Sequence, residues 1–383
     1  MPLKENAIRI SARALLSAER LFRPAPAISP SNVLILEYML PLGCCVHLTP
    51  VYEAIKRANP SVTLTVATRG LGLACLRHNP FVDHLIETPD PLMSLRAAVR
   101  ALRAELALRS IRPSLILTGA SDQRSRIAAL AGLAAPAIRG GFTIYPDFYH
   151  QPLAYDRQLS LIDNNLNLAS LAVAPSAHLE PRVYFSVADL ATAESLVRVV
   201  NPDGCPLVLF VTQNSGGQLT GWHTSRFVQV IRHVYEVLGC AVAYLGTEVD
   251  RGPIEKIQQA AGGIGTSLAG RTSVNELAAL LAIGDAAVSL DTGTMHVGRA
   301  VGLPMVVIGP SWQRPIEWLP LELPQVRILR GQDRDNIPPN YRIDEVQASD
   351  VIAAVEELLA EYPPSAASRA NRAAASTSTV DHL

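Results

Sequence analysis

The residues with the clearest chemical purpose are Asp291-Thr292-Gly293-Thr294-Met295-His296, which follow directly on the apolar run Ala286-Ala287-Val288-Ser289-Leu290. A strand that empties into Asp-Thr-Gly-Thr and then a helix puts backbone N–H groups and two hydroxyls at a helix N-terminus. That is a ready anion site. Gly293 allows close backbone approach, and His296 lies one turn in, within reach of a phosphate. The same residues also fit a plainer reading, with Asp291 an N-cap and His296 a helix-surface residue. Gly302-Leu303-Pro304-Met305-Val306-Val307-Ile308-Gly309-Pro310-Ser311 favours the anion site, because a further strand then ends in a second Gly/Ser loop beside the first.

Such loops need a scaffold that delivers strand ends side by side, and the chain supplies the rhythm for one. From Asn32 onward short aliphatic runs alternate with helical stretches. The strands are expected at 33–36, 62–67, 82–87 and 115–118, with helices reaching 58, over 71–77, 93–108 and 126–133. Arg139-Gly140-Gly141-Phe142 reads as irregular, and a helix over 156–172 leads into a hinge. A second series begins at 206–211. It continues through a helix over 225–238 and strands at 240–245, 267–268, 286–290 and 304–309, and closes on a helix over 350–362 capped by Ser349. This alternation is the mark of parallel, doubly wound α/β sheets, whose ligands bind outside the carboxyl ends of the strands.

Size and composition agree. At 383 residues the chain fits two domains of roughly 150 to 180 residues, expected at 32–185 and 186–362. A 49% hydrophobic content with only 5% aromatics suits aliphatic α/β cores. A net charge of −1 argues against a nucleic-acid partner. The five cysteines are odd in number and scattered, with no CxxC pair, so neither a disulfide framework nor a metal site is expected. No run is long enough to span a bilayer and no signal peptide is evident, so a cytoplasmic location is expected. Residues 1–31 combine a rough apolar stripe with Lys4, Arg9, Arg13, Arg20 and Arg23, ahead of a Pro-rich linker. They suit either a helix lying on the anionic cytoplasmic face of the inner membrane or a helical extension packed on the body. Residues 363–383 are Ala/Ser/Thr-rich, too poor in apolar side chains to fold, and are expected to be disordered.

The Asp291–Gly293 and His296 pattern, the Ala-containing helix after it and the Gly302-Leu303-Pro304 to Ser311 strand together resemble the C-terminal signature of glycosyltransferase family 9. These are the lipopolysaccharide heptosyltransferases, inverting enzymes of GT-B fold. Leu268-Ala269-Gly270-Arg271-Thr272-Ser273 through Leu280, and Asn79-Pro80-Phe81-Val82-Asp83, resemble two further family segments in the right order, so that the similarity runs from about Asn32 to Gly331. The resemblance implies two Rossmann-like domains facing a central cleft, an N-terminal one for the acceptor and a C-terminal one for the donor. It implies that Asp291, Thr292, Gly293, Thr294 and His296 hold the diphosphate and sugar of a nucleoside diphosphate sugar, with Gly309 beside them. Glu248, after Gly246-Thr247, falls where the family presents a carboxylate to the nucleoside, and a carboxylate can accept both ribose hydroxyl protons. No cofactor is implied, since the nucleotide sugar is a substrate.

Two positions depart from the family. Its first loop carries an Asp as the base that deprotonates the acceptor, where Gly43-Cys44-Cys45-Val46-His47 puts Cys44. A thiol with a pKa of about 8.5 is mostly neutral at pH 7. Glu37, His47 and Asp122, all at strand or helix ends, are the candidate replacements. The family also keeps a phosphate-binding lysine two residues before a tryptophan, where this chain has Thr220 before Trp222, and Arg271, Arg299 or Arg314 would have to supply the charge. The expected function is transfer of a heptose or related sugar from a nucleoside diphosphate to a lipopolysaccharide or other glycan acceptor, including a lipid-linked one. The alternative is a nucleotide-sugar-binding accessory protein of glycan assembly that has lost turnover. A sugar-nucleotide epimerase ranks below both, because no catalytic carboxylate set supports it.

Overall fold

The computed structural model describes residues 30–38, 41–174, 177–214 and 218–382. The helix expected within 1–31 therefore lies almost wholly outside the described residues. The chain divides into two compact units, one ending at Pro181 and the other running over Arg182–Thr379, with Val380–Leu383 returning to the first. Phe185 belongs to the second unit because its backbone bridges Thr377.

In the first unit six strands form one parallel sheet: β1 (Asn32–Leu36), β2 (Thr63–Thr68), β3 (His84–Glu87), β4 (Leu115–Thr118), β5 (Ile138–Phe142) and β6 (Gln151–Leu153), in the order β3-β2-β1-β4-β5-β6. Val33 pairs with Leu64 on one side and Leu115 on the other. The aliphatic runs are buried on both faces, which is why they read as continuous rather than alternating. The connecting helices are α1 (Leu42–Ala58), α2 (Leu71–Leu76), α3 (Leu95–Leu108), α4 (Ser125–Ala134) and α5 (Leu161–Ala169). Ser94 and Ser160 cap α3 and α5, each accepting a hydrogen bond from the backbone N–H three residues on. The cap at Ser160 makes α5 shorter than the helix expected over 156–172.

The segment expected to be irregular at 139–142 is strand β5. Its two glycines suggested a loop, but they serve the sheet. Gly141 sits at φ +133° against Thr118, where an added Cβ would come within 2.3 Å of the Thr118 carbonyl oxygen. Only glycine can pair there without pushing β5 off β4.

The second unit repeats the design with β7 (Leu207–Val211), β8 (Ala241–Tyr244), β9 (Thr266–Ser267), β10 (Ala286–Leu290), β11 (Met305–Ile308) and β12 (Val326–Leu329), in the order β12-β11-β10-β7-β8-β9. Its helices are α6 (Val187–Val200), α7 (Thr224–Arg232), α8 (Arg251–Ala260), α9 (Val274–Ile283), α10 (Gly293–Ala300), α11 (Pro315–Trp318), α12 (Ala348–Glu361) and α13 (Ala366–Ser376). The helix expected over 225–238 is α7 followed by a π-helical turn at His233–Val237. Gln347, not Ser349, caps α12, exchanging hydrogen bonds with Asp350 in a capping box.

The tail expected to be disordered is instead the structured α13. Hydrophobicity alone missed it because polar anchors hold it. The Arg369 guanidinium reaches both carboxylate oxygens of the buried Asp285 at 3.1 and 2.8 Å, and Arg372 donates to the carbonyls of Ala282 and Gly284 at the end of α9. Ser365 caps its first turn. Beyond it, Val380 accepts a hydrogen bond from His78, and His382 meets the Arg77 and Asn79 carbonyls. Among the described residues no helix is long and apolar enough to cross a membrane.

Candidate functional site

In each sheet the strand order reverses at one point, between β1 and β4 in the first unit and between β10 and β7 in the second. Beyond the carboxyl ends of those strands, loops diverge and leave a crevice, which is where open α/β sheets bind ligands. The expected site residues fall at these two places.

In the second unit Asp291 and Thr292 follow β10, and α10 begins at Gly293. Thr292 is the extended N-cap, at φ −147° and ψ 170°, and its Oγ1 is buried without a hydrogen-bond partner. A native buried hydroxyl left unpaired costs about 1–3 kcal/mol and calls for an explanation. An oxygen ligand at the α10 N-terminus would satisfy it. Asp291 is buried, and burial pushes its carboxyl up to about 6. His296 stacks one turn inward, its Nε2 3.6 Å from Asp291 Oδ1 and its ring 6.0 Å from that of Trp318. Burial, with the Arg299 charge adding to it, pushes His296 down to about 3, so the imidazole is neutral and acts as a hydrogen-bonding group rather than a cation. Gly298 lets α10 close on β11, since a Cβ there would stand 2.6 Å from the Met305 sulfur. Thr294 is half-buried in the first turn.

The sheet order β11-β10-β7-β8 sets four loops in a row: Gly309 after β11, Asp291 after β10, the 212–222 stretch after β7 and Glu248 after β8. Glu248 is exposed and paired with Arg251. It is pressed against Gly270, whose φ of +72° and lack of a Cβ allow the approach; an added Cβ would meet Glu248 Oε2 at 2.3 Å. Thr220, the residue expected in place of the family lysine, is wholly buried with its hydroxyl unpartnered, while the Trp222 indole donates to the Val346 carbonyl. Lys256 and Arg342, which belong to no motif, line a hollow of about 480 Å³ together with Gln213, Gln218 and Trp222. They became visible only once α8 was packed.

In the first unit Glu37 directly follows β1, and Cys44 lies in the first turn of α1. Both line a cavity of about 10 Å³ together with Ser121, Asp122 and Asn165 beyond β4. Tyr52 donates to Glu37 Oε2 at 2.5 Å, while Glu37 Oε1 has no partner. Burial pushes Glu37 up to about 7, against hydrogen bonds from Tyr52 and Cys45 that pull it down. Asp122 is buried and clamped by Arg124, Nε at 2.6 Å and Nη2 at 2.7 Å. His47 is wholly buried on α1, where its backbone carbonyl accepts from Asn165. The structure thus brings Glu37, Cys44 and Asp122 to one cavity, whereas His47 does not line it.

The chain belongs to glycosyltransferase family 9, the heptosyltransferases, whose family model matches residues 139–331. Its fold is that of GT-B heptosyltransferase structures. It is similar to the glycosyl transferase family 9 protein of Veillonella parvula, at 19% identity and a TM-score of 0.78 over 88% of this chain and 100% of that one. It is also similar to Escherichia coli ADP-heptose lipopolysaccharide heptosyltransferase II, at 17% identity and a TM-score of 0.69 over 86% and 99% of the two chains. With E. coli heptosyltransferase WaaC bound to ADP the figures are 16%, 0.62, 86% and 98%. Among curated proteins none matches the sequence.

Proposed function

We propose that the second unit binds a nucleoside diphosphate sugar and that the protein transfers its sugar, with inversion, to a hydroxyl of a lipopolysaccharide core or another glycan. The observation that carries this reading is the α10 N-terminus. It stands at the point where the strand order reverses, with no side-chain cap on its first turn, a glycine at its start and a buried Thr292 hydroxyl that lacks a partner. A diphosphate suits those donors, and a neutral His296 can donate to its oxygens without the cost of a buried charge. The donor is a substrate, and the reaction needs no further cofactor. Heptose carried on ADP is the first donor to test, because the similar E. coli structures are named for ADP-heptose and hold ADP or its fluoro-heptose derivative. A cytoplasmic enzyme working at the inner-membrane face, where lipid-linked acceptors stand, fits the chemistry.

A second reading, a donor-binding accessory protein without turnover, is favoured by one observation: Cys44 and Thr220 replace the acid and the lysine of the family pattern. Donor titration by calorimetry beside an assay of nucleoside diphosphate release separates the two. The transferase reading expects both signals, and the accessory reading expects binding alone.

A further inference from the structure

We propose that Glu37 is the general base of this protein, its carboxylate having taken over from the side chain of Cys44 on α1, which lines the same cavity. The inference rests on the transferase reading above, and the residue it names belongs to the first unit. Three geometric facts carry it. Glu37 and Cys44 line one cavity just beyond β1 and β4, where the strand order of the first sheet reverses. Of the two Glu37 oxygens, Oε2 is held by the Tyr52 hydroxyl, which fixes the carboxylate, while Oε1 is buried with no partner. Ser121 Oγ, from a residue that lines the same cavity, is likewise buried and unpartnered. Two residues that each hold a buried, unpartnered oxygen thus line one cavity of about 10 Å³, room for one water-sized group.

The other candidates are less suited to the task. The Asp122 carboxylate already accepts from the Arg124 guanidinium through both of its oxygens, so neither of them is left without a partner. The Cys44 thiol is a poor substitute for a carboxylate at neutral pH. Glu37 alone combines a fixed carboxylate with an open acceptor position, and burial tunes it to about 7, where a general base works best at physiological pH.

In the step assigned to it, the acceptor O–H proton passes to Glu37 Oε1, directly or through one water in the cavity. The acceptor oxygen forms its bond to the anomeric carbon as the bond from that carbon to the phosphate oxygen breaks. The nucleoside diphosphate leaves with the electron pair. With water in the acceptor's place the same step hydrolyses the donor, so turnover can be followed without a glycan.

The test uses the full chain, ADP-heptose first and then a panel of ADP-, GDP-, UDP- and dTDP-sugars. Affinity is measured by calorimetry and nucleoside diphosphate release is measured separately. Glu37→Gln is expected to lower kcat by about 10²- to 10⁴-fold with Kd unchanged. Glu37→Gln combined with Cys44→Asp is expected to recover turnover from another residue lining the same cavity. In the wild type kcat is expected to rise with pH through about 7, a limb absent from Glu37→Gln. Burial sets this limb, against hydrogen bonds from Tyr52 and Cys45 on α1; the other titratable groups near Glu37 are Cys75 on α2 and, lining the same cavity, Cys44 on α1 and Asp122 with its Arg124.

Wild-type kcat in Glu37→Gln overturns the proposal. So does a wild-type profile without a limb near 7, a measurement that needs no variant to fold. A protein that binds a nucleotide sugar and releases no nucleotide overturns the Glu37 assignment and leaves donor binding standing. One that binds no nucleotide sugar removes the underlying reading as well.

Discussion

At the scale of single residues, Asp291 and His296 are two buried ionisable groups 3.6 Å apart whose burial moves them in opposite directions. Their effects on stability therefore oppose each other. His296, lowered to about 3, resists the proton that the unfolded chain takes up near 6.5, so it favours folding above 6.5 and loses that contribution as pH falls toward 3. Asp291, raised to about 6, keeps its proton longer folded than unfolded, so it favours folding below about 4 and loses that contribution as pH rises toward 6. Between pH 4 and 6 the two largely cancel. Removing one should expose the other. Asp291→Asn is expected to show stability falling on acidification from pH 6.5, by up to about 1.4 kcal/mol per pH unit. His296→Gln is expected to show stability falling as pH rises from 4 to 6. Urea unfolding across pH 4–7 reads both slopes, and parallel curves for the three proteins would refute the burial of the pair.

The elements show which parts of the fold the residues announced and which they concealed. Gly141→Ala is expected to destabilise the first unit by about 3 kcal/mol or more, because strain at φ +133° adds to a 2.3 Å clash with a backbone oxygen. Arg369→Ala should cost the second unit about 2 kcal/mol by removing the charged partner of buried Asp285, whose remaining bond is to the Leu207 amide. Thermal unfolding of each variant checks these values, and unchanged transitions would mean that β5 and α13 are not held as described. These two elements are the ones composition obscured. The central strands were legible because parallel strands buried on both faces must be continuous runs such as Val33-Leu34-Ile35-Leu36. Strand β5 was not, because its Gly141 is demanded by Thr118, a residue more than twenty positions away. Helix α13 was not, because an Ala-rich segment anchored by two arginines has no apolar stripe to read. The strand–loop–helix unit at Asp291 was legible, being local. Glu37 was visible only as one candidate among several. Its burial, its bond to Tyr52 and its shared cavity with Ser121 all depend on packing between distant segments.

Taken whole, the chain carries the same doubly wound plan twice, and each copy places unsatisfied buried oxygens where its strand order reverses: Glu37 Oε1 and Ser121 Oγ in one, Thr292 Oγ1 in the other. Buried polar groups without partners are costly, so an unpartnered oxygen at each of these strand-end crevices is a physical argument that both bind ligands. A ligand that occupies the Thr292 crevice should stabilise the folded protein by mass action, about 2.7 kcal/mol at one hundred times its Kd. The most direct test is a melting scan of wild type and Asp291→Ala with ADP-heptose and the wider panel of nucleotide sugars. The account predicts a rise in Tm of the wild type with at least one donor, and its loss in Asp291→Ala. A wild type that no nucleotide sugar stabilises, or an Asp291→Ala variant stabilised equally, would contradict it.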